Sequence, residues 1–461
     1  MASGIWMMAC AGLFAAACGT VSAPSTSDTV PASAEGSAGD DAPVVSTEPA
    51  EAPTTSTAAR HASEEVLESL SAEASALIES WRSAVSASSG VWPGYDLAAI
   101  PTVLVLLDAD RTVATVVAFN HPAPAPLGSS VLRVDVDGQD VAVIGSPADP
   151  DALASMAPFD FFADIGGTDT FVLIGQHGAS GVEPGTPEFA ALMAHESFHR
   201  YQFDNWSPDD RVQDIDGYDF SAANLELVLL ENRILIAAYE AGTVSEIEHF
   251  ARQFAAVRRA RHERDSRTSL DELQERTEGS ARYLEHLIGD SLGNVYTARN
   301  HTRELVFYDD SLDRGATANA GGIRSFFGFG RFYSSGASLL SLLDRLGVSV
   351  TDIASGLQDG STPAELLAQR VGPVDKSQSV SVILTEHDPD GELAAGAANL
   401  AGLALEEGST DLGTNAPAGT FGVSDDQIAC LIERGVDINA DNITVPDDVA
   451  RTCFNDPDAG G

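Results

Sequence analysis

The sequence predicts an α+β protein, with a β-rich first half followed by a mainly helical second half. Short runs rich in Val, Ile and Thr occur up to residue 174, whereas apolar residues recur at helical spacing after residue 186. Strands followed by helices, rather than alternating with them, favour α+β over a parallel α/β fold. With 461 residues, of which 44% are hydrophobic, the chain can bury the core of one large domain or two ordinary ones.

The net charge of the chain excludes one class of binding partner. The chain has 69 Asp and Glu against 25 Lys and Arg, a formal net charge of -44. Such a surface repels phosphate backbones, so we expect no nucleic-acid partner. No apolar run of about 18 residues follows the N-terminus, so no transmembrane helix is predicted either.

The N-terminus is typical of an exported protein. Residues 1–18 form a short apolar stretch that ends in Ala15-Ala-Ala-Cys18-Gly. It resembles a bacterial lipoprotein signal, although no Lys or Arg precedes the apolar run and Ala15 stands where Leu is usual. Residues 19–62 are a Ser-, Thr-, Pro- and Ala-rich acidic linker that we expect to be disordered. The prediction is export to a bacterial cell envelope with a lipid anchor at Cys18.

The elements follow from the apolar periodicity. A helix begins near Ser63, and strands are predicted at 101–107, 112–118, 131–134, 141–144 and 170–174. The last strand is expected at the sheet edge, beside a cleft where an extended peptide could pair with it. Helices are predicted at 187–203, 222–241, 244–264, 269–288 and 334–346. We expect the arginines of helix 244–264 to form a solvated face that pairs with nearby acidic residues.

Residues 388–461 are predicted to be an acidic C-terminal extension. Cys430 and Cys453 are the two cysteines outside the signal segment, and an exported protein favours a disulfide between them. Two buried free thiols are the alternative.

The segment His195-Glu196-Ser-Phe-His199 carries the chemistry. On a helix, positions i and i+4 share a face, so the two imidazoles can occupy two vertices of a zinc tetrahedron. Glu196 would lie beside the metal, where it could take a proton from water. The alternative is a pair of solvent-facing histidines with a surface glutamate.

A third protein ligand is needed, because such zinc sites keep only the fourth position open for water. Two downstream glutamates qualify. Glu278 is followed by Gly279 and Ala281, small residues that allow close approach of helices, and Glu231 lies in a nearly all-apolar helix. The sequence around the two glutamates does not decide which of them is the third zinc ligand.

The chain resembles the gluzincin metallopeptidases, in which a downstream glutamate joins the histidines of HExxH. The resemblance rests on HExFHxxQ at 195–202, on an E-G-x-A-x-Y signature at 278–283, on L-E-x-R-x-L at 230–235 and on a Y-x-x-G segment that begins at Tyr333. It implies a zincin-like fold for a metallopeptidase-like domain at 63–387, with Glu278 as third ligand. The gap from His199 to Glu278 is longer than in better-known gluzincins, which keeps Glu231 as an alternative ligand; otherwise it would orient a histidine.

The predicted activity is peptide-bond hydrolysis with one Zn²⁺ ion. Glu196 is the expected general base, and Tyr333 and Tyr283 are candidate donors to the oxyanion, with Arg331 and His286 behind them. The substrate is expected to be a peptide or protein. Peptide specificity and oligomeric state are not determined by the sequence.

Two other functions are compatible with these residues. The chain could be a non-catalytic envelope or surface binding protein that keeps the fold, or a metal-dependent hydrolase of a substrate other than a peptide. The closely spaced carboxylates at 209–219 raise a separate question, since such oxygen-rich loops can hold calcium. They do not match the EF-hand pattern, so a solvated loop is favoured over a calcium site.

Overall fold

A computed structural model describes residues 70–108, 112–150, 162–177, 182–206, 217–293, 305, 320–372 and 379–405. The predicted signal segment, the linker, the cysteine pair and most of the acidic loop at 209–219 lie outside these ranges. The described part is mixed α+β, as expected, with one helix before the strands and the remaining α-helices after them. None of its helices is both long and apolar enough to span a bilayer.

Six strands in the described ranges form one mixed sheet. They are β1 (Thr102–Leu107), β2 (Val113–Phe119), β3 (Gly128–Val136), β4 (Gln139–Pro147), β5 (Phe162–Ile165) and β6 (Thr168–Gln176). Their order is β3-β4-β2-β1-β6-β5, and only β1 and β6 run parallel. Every predicted strand overlaps an observed one, although those predicted from residues 101 and 112 begin one residue early. β-Branched residues and turn residues mark these boundaries locally.

The predicted edge position of the strand at 170–174 is wrong. This segment belongs to β6, which lies between β1 and the short strand β5. A tight turn at Gly166 and Gly167, both with positive φ, folds β5 back onto the first four residues of β6. The β5 segment is too short and too weakly patterned to be recognised as a strand beforehand, so the true edge was missed.

The first two helices pack together on the sheet. Helix α1 (Ala72–Ser88) stacks Trp81 on Phe119 of β2, with ring centroids 4.6 Å apart. Helix α2 (Pro187–Asn205) carries the HExxH motif and packs between α1 and the later helices. Its start is well defined, because the Thr186 side chain accepts a hydrogen bond from the Phe189 N–H and Pro187 occupies the first turn.

The later helices form the second half of the molecule. They are α3 (Ala222–Glu240), α4 (Val244–Arg264), α5 (Thr268–Ser291), α6 (Ala320–Ser325), α7 (Arg331–Arg345), α8 (Val350–Gln358), α9 (Pro363–Val371), α10 (Val380–His387) and α11 (Glu392–Ala404), with a π-helical turn at Phe326–Gly330. The long predicted helices are found within a few residues of their expected ends. Helix α11 belongs to the segment predicted as an extension, yet it packs on α3 through buried Leu393 and Leu400.

Helices α5 and α7 touch through their backbones. A Cβ atom added to Gly279 of α5 would lie 2.5 Å from the Cα of Gly336 in α7, and one added to Gly336 would lie 2.5 Å from the Glu275 carbonyl oxygen. Real Cβ atoms do not approach so closely, so only glycine fits either position. The crossing sets the position of α5, the helix that carries Glu278.

We predict that Gly336→Ala lowers the free energy of unfolding by about 1–3 kcal/mol, because the added methyl group forces the two helices apart. Gly402→Ala is the matched control: this exposed glycine lies inside α11, and a Cβ there meets nothing within 4 Å. The control should be neutral or up to about 1 kcal/mol more stable, since alanine is the better helix former. Urea unfolding followed by circular dichroism measures both, and equal stability of the two variants would contradict the crossing.

Candidate metal centre

Helix α2 places the motif side chains on one buried face. The rings of His195 and His199 are one turn apart, with centroids separated by 5.2 Å. One ligand atom from each histidine and one from Glu196 lie within 4.8 Å of one another. The alternative of solvent-facing histidines is therefore wrong. Helix α2 is covered by α1 and by later helices such as α5.

Helix α5 brings Glu278 to the same place. Its Oε2 lies 3.4 Å from His199 Nε2 and 3.8 Å from His195 Nε2. Ligand atoms bound at 2.0–2.1 Å around a tetrahedral zinc ion are about 3.3 Å apart. Both distances from Glu278 Oε2 therefore suit ligands of a zinc ion, and they join residues about 80 positions apart in the chain.

Glu196 completes the cluster without the usual partners of a buried carboxylate. Its oxygens lie 4.0 Å from the Nε2 atoms of His195 and His199. Neither oxygen accepts a hydrogen bond in the described part of the chain, although the residue is only 1% exposed. A buried carboxylate normally needs a cation or donors, so the residues here fit a bound metal ion and a water molecule.

Both histidines are held through Nδ1, which leaves each Nε2 turned towards Glu278. His195 Nδ1 lies 3.0 Å from Glu285 Oε2, and Arg282 contacts both oxygens of Glu285 at 2.9 Å. His199 Nδ1 lies 2.7 Å from Gln202 Oε1. Neither Glu285 nor Gln202 was predicted as a site residue. The available signals were the i+7 spacing of Glu285 from Glu278 and the final Gln of HExFHxxQ.

Burial and charge shift the pKa of each group in the cluster. Burial alone lowers the pKa of His195, but nearby Glu196, Glu278 and Glu285 outweigh it and raise that pKa to about 9. Burial raises the pKa of Glu196 to about 7, against the opposing effect of the two histidines. For Glu278 the histidines prevail over burial and hold the pKa well below its ordinary value.

The two predicted tyrosines lie in different surroundings. Tyr333 of α7 is buried and stacks on the His195 ring, with centroids 5.8 Å apart and planes 13° apart. The Arg282 guanidinium lies 5.7 Å from the same tyrosine ring. Tyr283 follows Glu278 by five residues, which places it about 140° around the helix from that glutamate. Burial raises the pKa of Tyr283, and Asp344 adds to the effect.

Glu231 lies in a separate buried cluster. Its carboxylate accepts hydrogen bonds from Arg258 at 2.8 Å, from Arg261 at 2.9 Å and from Arg331 at 2.7 Å. Burial would raise its pKa, but the three guanidinium groups lower it to about 2. A carboxylate already saturated by three cations is a poor metal ligand, so the placement favours Glu278. Arg331 was expected behind the oxyanion donors, but its guanidinium donates to Glu231 in this cluster instead.

Two arginines of α4 pair with acidic residues, as expected, but they are buried and not solvated. Arg258 is 3% exposed and Arg261 is 1% exposed. Arg258 also binds both oxygens of Glu275, and Arg261 binds Asp271 at 2.7 Å. Tertiary packing overrides the surface prediction because α3 and α5 supply enough carboxylates to neutralise the buried charges.

No protein-family model, no curated protein and no solved structure matches the chain. The function must therefore be inferred from the motif and from the arrangement of these side chains.

We predict opposite behaviour for two glutamine variants. Glu278→Gln should weaken zinc binding by more than about 100-fold, beyond the 10–100-fold typical of outer-shell changes, while the chain stays folded. Glu231→Gln should keep one zinc ion per folded chain but lose about 3–5 kcal/mol of stability, because buried arginines are left uncompensated. Calorimetric zinc titration with urea unfolding checks both. Loss of zinc from a folded Glu231→Gln variant would reverse the assignment.

We also predict that the stability difference between wild type and Glu231→Gln shrinks in acid. The folded-state pKa of Glu231, about 2, lies below the ordinary value of about 4.3. Its charge therefore stabilises the fold above about pH 4.3, and this contribution, on the order of 3 kcal/mol, disappears as the pH falls towards 2. Unfolding measured from pH 6 to pH 2 tests this. A difference independent of pH would mean that Glu231 is not ionised in the cluster.

Proposed function

We propose that this chain is a zinc-dependent peptidase of the gluzincin type. The observation that carries the proposal is the Glu278 carboxylate, 3.4 Å and 3.8 Å from the Nε2 atoms of the two HExxH histidines. A glutamate delivered from a distant helix to this pair is the arrangement that the resemblance in the sequence implies. A zincin-like fold, with β6 second from the sheet edge, is part of the same proposal.

His195, His199 and Glu278 would hold the ion. When bound, zinc supplies Lewis acidity, which polarises a carbonyl group and makes water more acidic. The Nδ1 hydrogen bonds to Glu285 and Gln202 keep both Nε2 atoms aimed at the Glu278 oxygen. The ligand set is therefore pre-organised before any metal arrives.

Glu196 is the proposed general base. It lies 4.0 Å from both Nε2 atoms, so a water molecule can lie between it and the ion, and its oxygens have no competing donors in the described ranges. A pKa raised by burial to about 7 is suited to proton transfer near neutral pH, and a bound cation would lower it. Glu196 would take a proton from water and deliver it to the leaving amine.

Tyr333 is the favoured donor to the oxyanion, since its ring lies against His195. Tyr283 stays a weaker candidate, because the face of α5 that it occupies is turned away from Glu278. Neither assignment is needed for the ligand set, so each can fail without affecting the metal site.

The second candidate function is non-catalytic metal binding in an envelope or surface protein. One observation favours it: His195, Glu196 and Glu278 are at most 1% exposed and His199 only 7%. A peptide could reach these atoms only after the surrounding chain moves. Glu196 favours the peptidase, because its oxygens accept no hydrogen bond from any described residue and a structural zinc site gains nothing from such a buried carboxylate.

Export, a lipid anchor at Cys18 and a flexible linker at 19–62 complete the proposal. They would place the domain at a bacterial envelope, with a peptide or protein as substrate. Hydrolysis of another substrate class is distinguished by assaying ester and amide substrates alongside peptides.

We predict that Glu196→Gln keeps one zinc ion per chain and loses peptide hydrolysis by about 10²–10⁴-fold, because the variant cannot accept the proton. Zinc is measured by metal analysis and hydrolysis with casein and a fluorogenic peptide library. Glu188→Gln, on the first turn of the same helix, is the control and should leave both unchanged. Equal hydrolysis by wild type and Glu196→Gln would refute the mechanism; zinc binding with no hydrolysis in either would favour the non-catalytic function.

A further inference from the structure

Gln202 lies between the two helices that carry the proposed ligands. It is 3% exposed and projects from α2 one turn after His199. Its Oε1 lies 2.7 Å from His199 Nδ1. Its Nε2 donates to the Thr277 carbonyl oxygen at 2.8 Å and to Ser280 Oγ at 2.9 Å, both on α5. Both ends of the Gln202 amide group are thus hydrogen-bonded, the oxygen to a proposed ligand and the nitrogen to α5.

The surroundings allow only one orientation of this amide. The Thr277 carbonyl can only accept a hydrogen bond, so it must face the amide nitrogen. Ser280 donates its own hydroxyl proton to the Arg276 carbonyl oxygen at 2.6 Å, which leaves its oxygen as the acceptor towards Gln202. A flipped amide would set two oxygens against each other at Thr277. The amide oxygen is therefore turned towards His199.

This orientation decides which nitrogen of His199 carries the proton. The amide oxygen of Gln202 can only accept, so His199 Nδ1 must be the donor. In the neutral ring the lone pair is then on Nε2, the atom that lies 3.4 Å from Glu278 Oε2. A chain of hydrogen bonds that begins at a backbone carbonyl of α5 thus prepares a metal-ligating nitrogen on α2.

The same amide also holds the two helices in register. Thr277 directly precedes Glu278, so its bond to Gln202 ties the α5 backbone beside the third ligand to the α2 side chain that orients the second. The His195 side differs, because there a carboxylate, Glu285, plays the equivalent part and comes from α5 itself. Gln202 thus forms hydrogen bonds both to the ring of a proposed ligand on α2 and to the backbone of α5.

We propose that Gln202 is a positioning residue of the metal centre: it sets the tautomer of His199 and fixes the distance between that histidine and Glu278. The inference rests on the proposed zinc site, which it deepens. It requires that zinc affinity and ligand geometry, and not only stability, depend on this amide.

The test compares Gln202→Met with Gln253→Met in the full chain. Methionine keeps the length of the side chain but cannot form the hydrogen bonds. Gln253 is the matched control: it is 1% exposed and bonds a histidine, His387, at 2.8 Å and Glu386 at 2.7 Å, on α10 rather than at the ligand cluster. Three quantities are measured: the zinc dissociation constant, the visible absorption of the Co²⁺-substituted protein, and the ring N–H resonance of His199 in the zinc form.

Gln202→Met should weaken zinc binding by about 10–100-fold, change the Co²⁺ bands and remove the His199 ring N–H resonance. Gln253→Met should change none of these, whatever its stability. If Gln202→Met does not fold, Ser280→Ala removes one acceptor of the amide and should weaken zinc binding by about 10-fold. Wild-type affinity in these Gln202 and Ser280 variants overturns the inference alone, whereas a wild-type chain that binds no zinc overturns the proposed function with it.

Discussion

The contact between the Glu278 carboxylate and two imidazoles of α2 is the interaction on which the candidate site depends. It lies in the buried interior, together with the carboxylates of Glu196 and Glu285 and a single guanidinium from Arg282. With neutral imidazoles, the three carboxylates exceed the one guanidinium by two negative charges among these described groups. In the chain alone they draw protons onto the imidazoles, which is why the pKa of His195 rises to about 9. One divalent cation would balance the same charge and release those protons.

Helix α5 contributes to both the buried arginine cluster around Glu231 and the buried histidine cluster around Glu278. Asp271 and Glu275 of this helix face the arginines of α4, and further along it Glu278 and Glu285 face the histidines of α2. The backbone contact with α7 holds the helix between them. Buried ion pairs do little for stability compared with apolar packing, but they penalise any other register severely, because a shifted carboxylate would lose its partner.

Much of the fold could be predicted because the local sequence determines where its helices and strands begin and end. Helix boundaries follow from the 3.6-residue period and from capping residues such as Thr186, and five of the six observed strands follow from β-branched runs between turn residues. What failed was non-local. The edge strand was misplaced because a four-residue strand carries almost no pattern, and the burial of Arg258 depends on carboxylates that arrive from α3 and α5.

The sequence by itself determined the half of the site that one helix can build: two imidazoles and a glutamate whose spacing follows from the helical repeat. It could not choose between Glu278 and Glu231, since both are glutamates in predicted helices downstream of the motif. Only the tertiary structure separated them, by giving one carboxylate two imidazoles and the other three guanidinium groups. The reason is physical: a local repeat fixes neighbours within a helix, whereas the partners of a buried charge depend on how helices cross.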